Sequence, residues 1–391
     1  MTEKLYDSYP YLKSFEAVVT SCERDGDLNK VTLNATCFFP EEGGQSCDKG
    51  SLNGFEVLKV SIKNGEIYHY ISEALNVGEK VTGEIDWEHR YFNMQMHSAE
   101  HIFSGLVFSK YAFNNVGFHL SENNATMDYD GKLTDENISE LEYMVNKAIT
   151  ENVPIIARYP SKEEISDMSY RSKKVIEGAI RIVTVEGYDV CACCALHVSH
   201  TGEIGLFKVI SWENYKAGVR IHYLAGFRAL MDYRAKNEAL KDIYTKLNVK
   251  AGEEVQAVCK LSDENQKLKY DIVSLKNEIV KRDIEAKALK EPCFNGIWVG
   301  NPEDGDLMKY AISELHKHYE GTCFAFAGSD ESGYRFLIES GYLDLSVFLK
   351  ALKERFEVKG GGRPDCIQGS VNATLKDIDD FIFTHGISIF I

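Results

Sequence analysis

Tyr188-Asp-Val-Cys-Ala-Cys-Cys-Ala-Leu-His-Val-Ser-His-Thr-Gly-Glu-Ile-Gly205, together with the earlier His97-Ser-Ala-Glu-His101, decides how this chain is read. Residues four apart on a helix share a face, so His97 and His101 are placed to approach one ion. Cys193 and His197 repeat that spacing in the second stretch and bring a thiol and a third imidazole. A shell of nitrogen and sulfur donors of this kind is the one zinc favours. His97, His101, Cys193 and His197 are therefore candidate ligands of Zn2+, and the chain is a candidate zinc hydrolase. The plainer readings are core histidines with satisfied hydrogen bonds and a buried structural thiol at Cys193. The first motif alone leaves those readings strong, and the second motif, by adding two donors, tips the balance to metal.

His97-Ser-Ala-Glu-His101 also fits His-x-x-Glu-His, the inverted zinc-protease pattern, in which the glutamate activates water. That reading needs a further, usually acidic ligand, and the helix that follows offers nothing distinctive. It also leaves Cys193 and His197 without a role.

Bulk properties bound the class. At 391 residues the chain has room for two or three domains. No apolar run approaches the roughly 18–20 residues of a membrane span. The start, Met-Thr-Glu-Lys-Leu-Tyr-Asp, lacks the basic and apolar regions of a signal peptide, so a cytoplasmic protein is expected. Ten cysteines are too dilute for a disulfide scaffold, and only Cys191, Cys193 and Cys194 cluster. A net charge of −16 excludes indiscriminate nucleic-acid binding, though not a nucleic acid held by a local basic patch and by shape.

The expected architecture is α+β and multidomain. Phe15–Thr20, Lys30–Phe39, Gly54–Lys63, Glu66–Ile71 and Lys80–Asp86 read as short strands punctuated by Asp25-Gly26, Asn53-Gly54, Asn64-Gly65 and Val77-Gly78. The spacing reads as a small barrel or sandwich, and residues 1–90 are expected to form an N-terminal β-barrel. From Tyr91 the periodicity turns helical, Leu133–Asn152 reads as a helix, and Val175–Val185 and Leu206–Ile210 read as strands flanking the Cys/His motif. Residues 91–225 form an α+β metal domain on this reading. Residues 226–292 carry two heptad seams, Leu230 to Leu247 and Val258 to Ile279, broken near Ala251-Gly252. They predict an antiparallel helical hairpin, with a parallel homodimer through the second seam, where Asn265 sits at an a-type position, as the alternative. After Glu291-Pro292, residues 293–391 alternate strand and helix as a C-terminal α/β domain.

Two glycine-bearing stretches remain. Phe39-Pro-Glu-Glu-Gly43-Gly44-Gln45 reads as a turn needing positive φ, and its glycines also permit close backbone approach to a ligand. Gly360-Gly361-Gly362-Arg363 follows a helix and exceeds what a helix cap needs. With Lys350, Lys353, Arg355 and Lys359 it forms the concentrated positive charge of an otherwise acidic domain, either a solvated helix face or a phosphate-contacting patch.

Taken in order, these motifs resemble the editing domain of alanyl-tRNA synthetase and its free-standing AlaX relatives. His-x-x-x-His is followed by Cys-x-x-x-His-Val-x-x-Thr-Gly-Glu-Ile-Gly. Pro40-Glu-x-Gly-Gly-Gln45 is similar to the glycine-rich motif of the medium and long AlaX forms. Ile85-Asp86-Trp87-x-x-Arg90 and Val116-Gly-Phe-His-Leu120 fit the same pattern. Gly360-Gly-Gly-Arg-Pro-Asp365 with Gln368-Gly369 resembles the synthetase's C-terminal, DHH-associated tRNA-binding domain. The resemblance covers nearly the whole chain and is to the long AlaX form. No aminoacylation core precedes the first strands, and no Asp-His-His motif is present.

The resemblance implies editing in trans: hydrolysis of tRNA(Ala) mischarged with serine or glycine. It implies that His97, His101, Cys193 and His197 hold Zn2+. Gln45, Gly43 and Gly44 would line the site, and Lys359, Gly360, Gly361, Gly362 and Arg363 would meet tRNA. The His-x-x-Glu-His geometry adds Glu100 as the group that orients or deprotonates the attacking water. One departure bears on specificity: the family commonly has Cys-Gly-Gly-Thr-His or Cys-Cys-Gly-Thr-His where this chain has Cys193-Cys194-Ala195-Leu196-His197. The alternative of another class is a tRNA-binding or regulatory protein with an impaired editing site.

Overall fold

Along Ser14–Asp25 (β1), Phe15, Ala17 and Val19 are buried while Ser14, Glu16 and Thr20 face outward, the period of a strand covered on one side. In this computed structural model, which describes residues 2–121, 125–172, 178–290, 293–386 and 389, β1 is the centre of a seven-stranded sheet. The other members are β2 (Leu28–Leu33), β3 (Gly50–Leu52), β4 (Phe55–Glu56), β5 (Lys59–Lys63), β6 (Glu66–Ile71) and β7 (Lys80–Ile85). Their order is β4-β3-β7-β1-β2-β6-β5. β1 pairs with β7 through its first half and with β2 through its second, and the register shifts between Val19 and Ser21. A shift of that kind bends a sheet. Asn53-Gly54 and Asn64-Gly65 take positive φ at both positions, as tight hairpin turns require.

The N-terminal β-barrel expected from residues 1–90 is not closed. β4 and β5 remain as edges, and β4 is two residues long, too short to carry a ladder across the gap.

Next comes the long helix α1 (Trp87–Tyr111), started by Asp86, whose carboxylate accepts the His89 N–H at 3.0 Å. It is buried from His89 nearly without interruption to Val107, so it is a core element rather than an amphipathic surface helix. Its Met94, Ile102 and Phe103 join Val31 of β2, Phe38 just after it, and Phe207 and Ile221 further on in one continuous cluster. β8 (Asn115–Leu120) and β9 (Ala125–Tyr129) follow. Helix α2 (Asp135–Glu151) is opened by a reciprocal Thr134/Asn137 cap and closed by Asn152 at φ 52°.

β10 (Ile155–Arg158), β11 (Ile182–Val185) and β12 (Asp189–Ala192) make a three-stranded antiparallel sheet. The first part of the strand expected over 175–185 lies outside the described residues. β13 (Phe207–Tyr215) and β14 (Gly218–Ala225) complete a four-stranded sheet of order β8-β9-β14-β13. The fold is α+β, and no described helix is long and apolar enough to cross a membrane.

The chain divides into two compact units, Met1–Asp242 and Ile243–Ile391. Helices α3 (Gly226–Leu247) and α4 (Glu254–Lys290) form where the seams are, with the break between them. The apolar positions Leu230, Tyr233 and Leu240 of α3, and Val258, Leu261, Leu268, Ile272, Leu275 and Ile279 of α4, are exposed. Only near its end does α4 bury apolar side chains, Val280 and Ile284.

The boundary Glu291-Pro292 lies outside the described residues. In the second unit β15 (Gly296–Gly300), α5 (Met308–His318), β16 (Cys323–Ser329), β17 (Gly333–Glu339), α6 (Leu345–Arg355), β18 (Glu357–Arg363), β19 (Cys366–Asn372) and α7 (Leu375–Thr384) follow. The five-stranded sheet has order β15-β16-β17-β19-β18. Phe324, Phe336 and Ile338 face α6 and α7, whereas Cys323, Ala325 and Leu337 face α5 and α4. Gly360, Gly361 and Gly362, expected in a loop after a helix, lie in the edge strand β18.

His69 sits at the heart of the first sheet, with Nδ1 3.2 Å from Val31 O and Nε2 2.8 Å from Thr36 Oγ1. Burial pushes its imidazole down to about 4. The unfolded chain takes up that proton near pH 6.5, so this contribution to stability is complete above about 6.5 and is lost as the pH falls toward 4. The slope is ~1.4 kcal/mol per pH unit for one proton. His69→Gln is expected to flatten the difference in unfolding free energy between pH 5 and 7 by about that slope, measured by denaturant titration; an unchanged slope refutes it.

Candidate metal centre

Two segments build the site. α1 carries His97 and His101, one turn apart and each 2% exposed. β12 ends at Ala192, and the chain then turns through Cys193 to His197 with no regular structure. Hydrogen bonds hold that turn. Arg181 donates through Nη1 to Cys193 O (3.1 Å) and Ala195 O (2.8 Å), and Cys193 N donates to Arg181 O (3.0 Å). Val198 N donates to Ser98 Oγ at 3.1 Å, docking the turn on α1 between its two histidines. One ligand atom each from His97, His101, Cys193 and His197 falls within 4.8 Å of all the others, so the four can hold a metal ion. Cys193 Sγ lies 3.6 Å from His97 Nε2, close to the separation of two ligands across a tetrahedral ion.

Each imidazole is fixed by a hydrogen bond on Nδ1. That of His97 meets Gln45 Oε1 at 2.8 Å, that of His101 meets Asp189 Oδ2 at 2.9 Å, and that of His197 meets Ser98 Oγ at 3.2 Å. Donation from Nδ1 leaves the Nε2 lone pair for a metal. His197 Nε2 is buried without a hydrogen-bond partner, an arrangement that costs ~1–3 kcal/mol unless something charged or polar meets it. Burial, with the charge of His101, pushes the His197 imidazole down to about 3, so it is neutral and its ring lone pair carries no proton. Burial alone would raise the Cys193 thiol. The charge of His97 and hydrogen bonds from His101 and His97 outweigh it and hold the thiol well below its usual range. An orphaned buried nitrogen beside a thiolate-forming cysteine is a donor set that fits zinc.

The glycine-rich loop packs against this centre. Gly43 and Gly44 have φ of 66° and 88°. A Cβ on Gly44 would lie 2.3 Å from Phe118 O, and one on Gly43 would lie 3.3 Å from Cys194 Sγ. The loop is stitched to β8 by Leu120 N to Gly44 O (2.7 Å) and Ser46 N to Leu120 O (3.0 Å). This places Gln45 against His97, 2% exposed, as the group that orients a ligand. Phe118 packs against the same imidazole, ring centroids 4.6 Å apart and planes tilted by 45°. Behind the loop, Asp48 accepts from Phe39 N (2.6 Å) and from the buried Arg90, which ties the loop to the start of α1.

Glu100 is 1% exposed. Its Oε1 accepts from Ser104 Oγ (2.8 Å) and Asn115 Nδ2 (2.6 Å), and Ser104 Oγ also meets Tyr129 OH (2.7 Å). Its Oε2 lies 3.9 Å from His101 Nε2, on the side where the ligand atoms converge. His101, Asp189 and Cys191 form a second grouping of donors, but Arg171 grips both Asp189 oxygens, so that carboxylate supports a histidine rather than a second ion.

Ala195 and Leu196, the unusual pair between the ligands, are fully buried in the main core. Lys359, Gly360, Gly361, Gly362 and Arg363 belong to the second unit. Asp189, Ser98, Ser104 and Asn115 were not singled out from sequence. Ser98 and Asp189 stand inside the two motifs, yet their roles depend on which imidazole each meets.

Residues 180–222 match the family described as the threonyl and alanyl tRNA synthetase second additional domain. The AlaX-L alanyl-tRNA editing protein of Pyrococcus horikoshii is 30% identical over 97% of both chains. The alanyl-tRNA editing protein Aarsd1 of Danio rerio is 26% identical over 94% of this chain and 93% of its own. The AlaX-M protein of Methanosarcina acetivorans is 34% identical over 94% of its length but only 55% of this one. Such likeness along nearly the whole chain defines a class, that of alanyl-tRNA editing proteins, in which the Cys/His turn is one part of a larger chain. The chain belongs to the AlaX family of alanyl-tRNA editing proteins.

Proposed function

We propose that the chain is a zinc-dependent aminoacyl-tRNA deacylase that frees tRNA(Ala) from serine or glycine attached in error. The observation that carries this reading is the buried His97, His101, Cys193 and His197 cluster with the Glu100 carboxylate beside it. Zinc held by the four side chains would supply Lewis acidity toward the ester carbonyl. Three imidazoles, locked through Nδ1, keep that position rigid. Glu100 Oε2 takes a proton from the attacking water as its oxygen adds to the ester carbon. The ester C–O bond then breaks, and the ribose oxygen leaves with the proton that Glu100 returns. The Ser104 and Asn115 bonds to Oε1 hold the carboxylate for that transfer. Phe118 and the glycine loop wall the centre.

The second unit supports the tRNA contact. The ladders β17–β19 and β19–β18 set Arg335, Ser370 and Lys359 in one row, and Leu337, Gln368 and Gly361 in the next, so each row shares a face. A groove of about 1060 Å³ runs there, with Lys309 along its side. A Cβ on Gly360 would lie 2.4 Å from Gln368 O and one on Gly362 2.2 Å from Cys366 O, so the strand pairing itself requires these two. A Cβ on Gly361 would meet nothing within 4 Å. Its absence keeps the groove floor open to a phosphodiester flanked by Arg335 and Lys359.

The exposed seam of α4 is read as a homodimer contact. β-branched Val258, Ile272 and Ile279 at a, Leu261, Leu268 and Leu275 at d, and Asn265 at one a position are what a parallel two-stranded coil uses.

Four measurements test these readings. The chain is expected to deacylate Ser-tRNA(Ala) and Gly-tRNA(Ala), to spare Ala-tRNA(Ala), and to lose activity with a chelator. Glu100→Gln should lower the rate about 10²–10⁴-fold at unchanged metal content, and a full rate would remove Glu100 from the chemistry. Tight tRNA binding without hydrolysis would favour the binding-protein reading. Arg335→Ala and Lys359→Ala should each weaken tRNA binding and reduce its salt-dependence slope by about one, and an unchanged slope excludes a phosphate contact. Leu268→Glu should convert a dimer to a monomer by light scattering, whereas a monomeric parent overturns the dimer.

A further inference from the structure

His101 differs from the other two imidazoles in what stands behind it. Gln45 and Ser98 are neutral partners, but Asp189 is a carboxylate. Its side chain is 1% exposed, and it does not float. Arg171 grips it with a fork, Nε to Oδ1 at 2.8 Å and Nη2 to Oδ2 at 2.8 Å. Arg171 is itself fixed at the backbone: its N–H donates to Val190 O at 2.8 Å and its carbonyl accepts from Ala192 N at 2.9 Å, adding residue 171 to the edge of β12. One turn beyond His101, a Cβ on Gly105 would lie 2.3 Å from Tyr188 O and 2.8 Å from Asp189 Cβ. The glycine lets α1 approach β12 closely enough for the carboxylate to reach the imidazole.

We infer that Asp189, pinned by Arg171, is a positioning residue for the metal: it holds His101 with Nε2 toward the ion and strengthens that nitrogen as a donor. The inference rests on the metal reading above. Oδ2 is shared between the guanidinium and His101 Nδ1, and with both carboxylate oxygens engaged the imidazole has one orientation left to it. A buried ion pair is poor at stabilising a fold compared with an apolar pair of the same volume. The carboxylate therefore has a reason to be there only in what it does for His101. A carboxylate behind a metal-bound histidine fixes the tautomer and raises ligand basicity.

The test reads metal affinity and the ligand field, not turnover. Parent protein, Asp189→Asn, and the double variant Asp189→Leu/Arg171→Met are purified, stripped, and titrated with Zn2+ against a chromophoric chelator. The same three are titrated with Co2+, whose visible absorption reports coordination geometry. The double variant removes both buried charges together, so its folding does not suffer from a stranded guanidinium. Both variants are expected to bind Zn2+ about 10–100-fold more weakly than the parent and to shift the Co2+ bands. Circular dichroism is expected to match the parent's. An Arg171→Lys variant keeps a cation but loses the fork and should fall between parent and Asp189→Asn. If either folded Asp189 variant binds Zn2+ as tightly as the parent with the same Co2+ spectrum, the inference is overturned. A parent that takes up no metal would overturn the metal reading, and this inference with it. A parent that binds zinc but spares every aminoacyl-tRNA would leave this inference standing while defeating the substrate assignment.

Discussion

Three imidazoles and a thiol buried against one another are the constraint around which the first unit is organised. Buried polar groups are costly unless each meets a partner, and here each histidine has a partner on Nδ1 drawn from a different part of the chain: Gln45 from the glycine loop, Ser98 from α1 itself, Asp189 from β12. Keeping those three in reach demands that the loop, the helix and the strand stay in register. Gly44 and Gly105 are needed because the backbone approaches involved leave no room for a Cβ. Arg90 with Asp48, and Arg171 with Asp189, anchor two of the three contributing segments.

This accounts for a helix that is buried along most of its length although it carries His, Glu, Asn, Gln and Ser. Its polar residues are not scattered. His97 and His101 converge with Cys193 and His197, Ser98 docks the Cys/His turn, and Glu100 is held by Ser104 and Asn115. A moderate apolar stripe on such a helix would predict a surface element. Hydrogen bonds to Gln45, Asp189, Ser104, Asn115 and the Cys/His turn are what let its polar residues sit in the core.

The second unit follows a different logic. Its sheet buries both faces, one under α6 and α7 and the other under α5 and the end of α4. The rows Arg335, Ser370, Lys359 and Leu337, Gln368, Gly361 emerge where β17, β19 and β18 extend toward the edge. The edge strand β18 is nearly all exposed and rich in glycine. Its charge is local and positive in a chain whose net charge is −16, which suits a polyanion bound at one place and repelled elsewhere.

Much was legible in the residues alone. The i, i+4 spacing of His97 and His101, and of Cys193 and His197, named four side chains that the fold brings together, because a short motif carries its own geometry. The Asn-Gly turns, the Thr134 cap and the heptads of α4 were readable for the same reason: each depends on a few neighbours in sequence. Tertiary packing decided the rest. Whether the first strands close into a barrel depended on the length of β4, two residues that no local pattern marks. The triple glycine became a strand because Cys366–Asn372 pairs with it, and the seams of α3 and α4 stayed exposed although their pattern invited burial. Leu196 went to the core because the turn's carbonyls are held by Arg181. Asp189 became the partner of His101 only because Gly105 let two distant segments touch. Sequence determines which side chains can serve a site; which of them meet is set by contacts between residues far apart in the chain, and those exist only in the folded protein.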